Sequence, residues 1–300
     1  MSLNLLGVEA IPLPTLSENG FTPSVERCRE LITPKTRAIA LVTPNNPVSS
    51  LSPYHTPPKM IPSMQTGATY SRELISSFFD LAHEHKIALI IDETYRDFIT
   101  ISTPPHKLFS SPQMPWRSTF IHLFSFSKSY CLPGHRLGAI VASPELLTTS
   151  VKKVLDCMQI CPPRPIQQAL GPLLPSLRGF VRETALALES RHNLFKDHLP
   201  EKWRIGAQGG YFAFVRHPFV RVRAADVCRR LAEEVGVVTL PASFFSDARE
   251  REDGADGQEE ESVEEEESWI RFSVANIPDE KVLKVCERLG ESEKVFGWKM

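Results

Sequence analysis

The chain has 300 residues, of which 42% are hydrophobic, and its formal net charge is −2. At roughly 150 residues per domain this length predicts about two domains, and the apolar fraction is sufficient for sizeable cores. Disorder of the whole chain is therefore excluded, as is a global basic surface for nucleic acid or anionic lipid. No apolar run approaches the roughly 18 residues of a membrane span, and we expect no signal peptide because the N-terminus lacks a basic region followed by an apolar one.

The first half of the chain alternates apolar runs with helical patterns. Residues 71–86 open with a serine that can cap a helix and continue with apolar residues at helical spacing. Short apolar runs predict strands at residues 37–44, 87–92, 121–126 and 137–142. Strands that alternate with helices in this way predict an α/β fold, with a mostly parallel sheet flanked by helices.

The second half has a different character. Helical patterns dominate after Pro144, and the pattern over residues 178–198 predicts one continuous helix. Beyond it we predict strands at 210–215, 235–240 and 269–274 and helices at 224–234 and 279–289. This is a smaller α+β unit, so we predict an incomplete large domain at 1–178 and a small C-terminal domain at 179–300.

Two features lie outside this framework. Residues 247–267 are mostly Asp and Glu, which predicts a disordered acidic loop, with an acidic partner-binding segment as the alternative. The six cysteines form no CxxC pair, and Cys157 and Cys161 lack the histidine partners that a zinc site needs. We therefore predict reduced cysteines, no metal and a cytoplasmic location.

Chemistry-bearing residues follow the predicted strands, where open α/β sheets bind ligands. They form the stretches TPNNP (43–47), IDETY (91–95) and SFSKSYCLPGHRLG (125–138), and WIRFSVAN (269–276) lies in the second unit. The most specific element is S-x-S-K, followed eight residues after the lysine by an arginine in a GxRxG setting. In this order the stretches resemble the class I and II aminotransferases, which are pyridoxal-phosphate enzymes of the aspartate aminotransferase superfamily (fold type I).

The resemblance implies a role for each of these residues. Lys128 would hold the cofactor aldehyde covalently and later move a proton, and Asp92 would face the pyridine nitrogen. Tyr95 and Asn46 would donate hydrogen bonds to the phenolic oxygen of the cofactor. The phosphate would be bound by Ser125, Ser127 and Arg136, and the α-carboxylate of the substrate by Arg271.

The implied reaction is transamination between an amino acid and a 2-oxo acid, carried out by a homodimer. A pyridoxal-phosphate-dependent C–S lyase and a cyclopropane-synthase-like enzyme share these cofactor residues and stay open as alternatives. So does a catalytically inactive fragment. The sequence does not reveal which amino acid is the donor.

The sequence departs from the family pattern in two places. The family has a substantial segment before the point that matches Met1, so we expect this chain to be N-terminally truncated, with an apolar sheet edge left exposed. Residues 48–65 form a proline-rich insertion, and deleting them restores the family-like NNPTGATYSREL. We interpret the insertion as a retained intron, with a genuine lid loop as the alternative.

Overall fold

The computed structural model describes residues 6–13, 15, 19–45, 69–99, 105–112, 114–245 and 267–300. These residues form two compact units. The first unit contains residues 34–45 and 69–190, and the second contains the described residues up to 33 together with 191–300. The units therefore divide at 190/191, and the domain boundary at 178/179 stays a prediction. The insertion 48–65 and the acidic residues 247–266 lie outside the described residues.

Helices and strands are numbered here in chain order over the described residues. The helices are α1 Val25–Leu31, α2 Arg72–Glu84, α3 Trp116–Thr119, α4 Pro144–Leu146, α5 Lys152–Met158, α6 Arg164–Leu173, α7 Arg178–His198, α8 Ala224–Glu234 and α9 Asp279–Val295. The strands are β1 Ala38–Val42, β2 Ala88–Asp92, β3 Phe120–Ser125, β4 Gly138–Val141, β5 Arg204–Gly209, β6 Phe212–Arg216, β7 Leu240–Pro241 and β8 Trp269–Ser273. A π-helical turn, Leu147–Val151, joins α4 to α5, and short 3-10 turns cover Arg96–Phe98, Pro133–His135 and Ala242–Phe244.

The first unit contains a sheet with the strand order β1-β2-β3-β4. The first three strands are parallel and β4 is antiparallel to β3, which confirms the predicted mostly parallel sheet. Leu89 and Ile91 of β2 are fully buried, as expected for the central region of a parallel sheet. Within the described residues β4 is an edge strand, and its Ile140 and Val141 are 38% and 36% exposed.

Helix α2 packs against β2 on one face of this sheet. The Ser71 hydroxyl accepts a hydrogen bond from the Leu74 backbone and so caps the first turn. Phe78, Phe79 and Ala82 recur at helical spacing and are buried. The cap and the apolar stripe therefore place the helix where the sequence predicted it.

The second unit contains an antiparallel sheet with the order β5-β6-β8-β7. Its core joins α7, α8 and α9 to the sheet through buried residues that include Phe195, Val215, Leu231, Ile270 and Leu289. Helices α7 and α8 have the predicted bounds. In the described part of the chain, no helix combines the length and apolarity that a membrane crossing requires.

One strand prediction for the second unit was wrong, and one strand was not predicted. The strand at 235–240 reduces to β7, because Gly236 has a φ of +67° and the residues from Val235 to Thr239 are not extended in the sheet. Strand β5 was not predicted, because its glycines hide the strand pattern. The pairing of β5 with β6 has a register shift at Gly206, which is therefore the bulge residue.

Gly206 leads to the first prediction. A Cβ atom at this position would lie 2.5 Å from ring atoms of Trp269 and 2.7 Å from Phe21. We expect Gly206→Ala to lower the free energy of unfolding by about 1–3 kcal/mol, because two buried rings must move. Denaturant titration measures the change. Gly179→Ala, where a Cβ meets nothing within 4 Å, is the control, and equal effects of the two variants would contradict the prediction.

Candidate active site

The candidate site is built on one edge of the parallel sheet. Strands β1, β2 and β3 all end there, with Val42 paired to Asp92 and Asp92 paired to Leu123. Asp92 and Ser125 are the last residues of β2 and β3, and Tyr95, Ser127 and Lys128 lie on the segments that follow, so the structure brings these residues to one edge. Asn46 follows β1 but lies outside the described residues.

Asp92 is the last residue of β2 and is partly buried. Its Oδ1 atom accepts hydrogen bonds from the Thr94 backbone nitrogen at 2.9 Å and from the Thr94 hydroxyl at 2.6 Å. These bonds fix the carboxylate at the point where the chain leaves the sheet. The charge of Asp92 is therefore held in place without an ion pair to a neighbouring lysine or arginine within the described residues.

Lys128 lies in the turn over residues 126–130 that follows β3. Its Nζ atom is 5.7 Å from the centroid of the Tyr95 ring, and Tyr95 itself is 4% exposed. This is the distance of a cation–π contact. The Lys128 amine, which follows β3, and the Tyr95 phenol, which follows β2, therefore share the same part of the edge.

The residues predicted to bind phosphate surround this turn. The Ser127 backbone donates to the Ser125 hydroxyl at 3.2 Å, and the Phe126 backbone donates to the Leu137 carbonyl at 3.1 Å. The second bond folds the loop that carries Arg136 back towards the end of β3. Arg136 has a φ of +50°, is exposed, and donates through Nη1 to the Pro133 carbonyl at 3.1 Å.

Arg271, the predicted carboxylate-binding arginine, lies on β8 of the second unit. Its guanidinium carbon is 4.3 Å from the centroid of the Phe212 ring and 4.3 Å from that of Phe245. Two aromatic rings therefore stack on this flat group. An acceptor that takes two parallel hydrogen bonds from the guanidinium approaches in the plane of the group, along its N–H bonds.

A buried charged cluster beside the edge was not identified in the sequence. The side chain of Glu93 is fully buried, and its Oε2 atom is 3.1 Å from Arg96 Nη1, 3.1 Å from His106 Nε2 and 2.7 Å from His122 Nε2. His106 accepts a hydrogen bond from the Leu108 backbone through Nδ1, so its Nε2 atom is the donor to Glu93. No group of three or more His, Cys, Asp or Glu among the described residues has an arrangement that could hold a metal. The cluster is therefore an ion pair of Glu93 with Arg96, completed by histidine donors.

The sequence contained two weak signals for this cluster. Glu93 directly follows Asp92, so their side chains leave the strand in opposite directions. His122 alternates with Ile121 and Leu123 on β3 and therefore shares one face of that strand with Phe120 and Phe124. Neither signal identifies His106 as a partner of Glu93, because the two residues are 13 positions apart in sequence and only the tertiary fold brings them together.

With this geometry in view, comparison with known proteins identifies the class. An α/β unit with an amine, a carboxylate and a phenol at the carboxyl ends of its parallel strands is an arrangement found in cofactor-dependent enzymes. Residues 61–289 match the family model of class I and II aminotransferases. The chain therefore belongs to that family, whose members depend on pyridoxal phosphate.

Similar proteins include an aromatic-amino-acid aminotransferase of Thermococcus litoralis, which is 28% identical over 82% of this chain and 59% of its own length. An aspartate aminotransferase of Pyrococcus abyssi is 26% identical with the same coverages. The arginine–pyruvate transaminase AruH of Pseudomonas aeruginosa is 29% identical over 80% of this chain and 56% of its own length. The chain thus spans a little over half the length of these curated relatives.

Solved structures show the same fold. An aromatic aminotransferase from Pyrococcus horikoshii superimposes with a TM-score of 0.76 at 23% identity, over 98% of this chain and 70% of that one. Thermus thermophilus aspartate aminotransferase with maleate gives a TM-score of 0.74 at 22% identity, over 96% of this chain and 65% of that one. A unit with a mostly parallel sheet and a unit with an antiparallel sheet together make the aminotransferase fold.

The Glu93 cluster predicts a pH dependence of stability. Burial alone would raise the pKa of Glu93, but the hydrogen bonds from His106 and His122, together with Arg96, lower it from 4.5 to about 2. The folded state therefore gains about 3 kcal/mol above pH 4.5, and this gain is lost as the pH falls from 4.5 towards 2. We expect Glu93→Gln to remove that part of the acid sensitivity and to destabilise the protein at pH 7 by about 3–5 kcal/mol.

Urea unfolding at a series of pH values measures both effects. Glu30→Gln is the matched control, because Glu30 forms an ion pair with Arg27 on the surface of α1. An exposed pair contributes at most about 1 kcal/mol. A Glu93→Gln protein with the same dependence on pH as the Glu30→Gln protein would contradict the prediction.

Proposed function

We propose that this protein catalyses pyridoxal-phosphate-dependent transamination between an amino acid and a 2-oxo acid. The observation that carries the proposal is the approach of the Lys128 amine to the Tyr95 ring, at the sheet edge where β2 ends in Asp92. The names of the relatives support it, since those compared above are called aminotransferases or transaminases. They favour transamination over the lyase and cyclopropane-synthase alternatives.

The residues at the edge suit the cofactor chemically. One amine, one carboxylate, one phenol and two hydroxyls lie on consecutive segments of a single sheet edge, and an arginine follows them. Bound pyridoxal phosphate supplies the electron sink that stabilises negative charge at the substrate Cα. Lys128 would hold the cofactor aldehyde covalently, and its released amine would accept and return the proton at the substrate Cα.

The other residues would orient and tune the site. The Asp92 carboxylate, held by Thr94, would accept a hydrogen bond from the protonated nitrogen of the pyridine ring. Tyr95 and Asn46 would donate to the phenolic oxygen, and Ser125, Ser127 and Arg136 would bind the phosphate through hydroxyl and guanidinium donors. In the second unit, Arg271 would fix the α-carboxylate of the substrate in a bidentate pair. We further propose that the protein acts as a cytoplasmic homodimer.

The role of Lys128 is tested by trapping the cofactor. We expect borohydride to fix pyridoxal phosphate to the wild-type protein at Lys128, because only a lysine–aldehyde adduct is reduced to a stable amine. Peptide mapping by mass spectrometry locates the label. In Lys128→Ala the site-specific label should vanish, whereas Lys152→Ala, which removes an exposed lysine paired with Asp156, should keep it. A label placed mainly on other lysines would contradict the proposal.

Products then separate the alternative reactions. Transamination yields a 2-oxo acid from the amino donor and a new amino acid from the acceptor, whereas elimination releases ammonia and pyruvate. A cyclopropane amino acid as product would indicate the synthase, and a wild-type protein that traps the cofactor at Lys128 but forms none of these products is the inactive fragment.

The role of Arg271 is tested by a substitution that keeps its charge. Lysine cannot form the planar fork or stack between Phe212 and Phe245 in the same way. We expect Arg271→Lys to lower kcat/KM for the amino acid by on the order of 100-fold, mainly through KM. Arg223→Lys, at an exposed arginine paired with Asp226, is the control. Equal kinetics for wild type and Arg271→Lys would remove Arg271 from the substrate site.

A further inference from the structure

The turn that carries Lys128 has few backbone anchors of its own. It leaves the sheet after Ser125, and its backbone amides donate from Phe126 to the Leu137 carbonyl, from Ser127 to the Ser125 hydroxyl and from Cys131 to the Lys128 carbonyl. Tyr95 lies on a different segment, which follows β2. The contact of Lys128 with Tyr95 therefore requires an interaction that joins the two segments.

Ser129, the residue after the lysine, provides this interaction. It is fully buried, although its neighbours in the turn are partly exposed. Its hydroxyl donates to Oδ2 of Asp97 at 2.8 Å, across 32 positions of the chain. A hydrogen bond from a buried hydroxyl to a carboxylate belongs to the stronger class of side-chain bonds.

Asp97 is itself fixed in place. It lies in the 3-10 turn Arg96–Phe98, which begins directly after Tyr95. Arg96 is tied to the buried Glu93 through its Nη1 atom, and Phe98 is buried. This turn therefore provides a rigid base. Burial, and then the charge of Asp97, raise the pKa of the neighbouring Tyr130 phenol on the Lys128 turn.

We propose that Asp97 is a positioning residue that acts through Ser129 to hold the Lys128 turn against Tyr95. The Asp97–Ser129 bond joins the β2 end to the β3 end on the same edge. It acts on the residue next to the amine and does not touch the amine itself. The effect of this bond on the reaction rests on the proposed covalent role of Lys128. Its effect on the position of the turn does not depend on that role.

Four variants test this proposal. Ser129→Ala removes the donor, Asp97→Ala removes the acceptor, and Asp97→Asn keeps an acceptor oxygen without the charge. Thr119→Val is the matched control, because Thr119 is a buried hydroxyl in the same unit that bonds instead to His83 at 3.0 Å. Urea unfolding of all four identifies any global loss of stability.

Hydrogen exchange of the protein without cofactor gives the first measurement. We expect the hydrogen-bonded amides of Phe126, Ser127 and Cys131 to exchange about tenfold faster in Ser129→Ala and Asp97→Ala than in Thr119→Val, with most protection retained in Asp97→Asn. The double variant of Ser129→Ala and Asp97→Ala should exchange no faster than either single variant, since both remove one bond. Exchange at 126–131 that matches the Thr119→Val control would overturn the proposal.

Cofactor trapping gives the second measurement. We expect the rate of borohydride-trapped labelling at Lys128 to fall about tenfold in Asp97→Ala relative to Thr119→Val, and to recover in Asp97→Asn. A wild-type protein that takes no label contradicts the proposed function, and the exchange data then decide the role of Asp97 alone. Unchanged labelling in Asp97→Ala beside labelled wild type would overturn the link to the reaction.

Discussion

Parallel pairing of β1, β2 and β3 is the constraint on which the candidate site depends. Because the three strands run in the same direction, their carboxyl ends reach one edge, and each is followed by a segment rich in polar groups. A parallel sheet buries the strand interiors on both faces, so chemistry is confined to the ends. The Asp92 carboxylate and the Lys128 amine can therefore come from residues far apart in sequence and still reach the same edge.

Glu93 has a different physical role from Asp92, although the two are adjacent. Alternation along the strand sends Asp92 to the edge and Glu93 into the interior, where a lone carboxylate would be very costly. Arg96 and the two histidines offset that cost, and together they join the β2 end, the turn at residue 106 and β3. A buried ion pair of this kind contributes little net stability compared with an apolar core, but it specifies one arrangement of the groups that it joins. Here those groups lie directly behind the candidate site.

The sequence allowed prediction of the elements and motifs that depend on the local pattern of residues. Apolar runs and a serine cap predicted the strands and α2, and the spacing of Lys128 and Arg136 predicted the family. Contacts across long sequence separations were not accessible: the Glu93 cluster and the Asp97–Ser129 bond join residues whose proximity only the fold creates. The failures in the second unit have the same origin. Gly206 is a bulge that accommodates Trp269, and Gly236 turns a strand-like run away from the sheet.

Arg271 shows what kind of selectivity the described residues can support. Two rings stack on its guanidinium, so the ligand that its geometry favours is a planar anion in the plane of the group. A carboxylate meets that requirement, and every α-amino acid and every 2-oxo acid carries one. Recognition at Arg271, as proposed, would therefore be common to all substrates of the proposed reaction and would not choose among them. Choice of the amino-acid side chain must come from other groups, which agrees with relatives that are named for substrates as different as aromatic amino acids, aspartate and arginine.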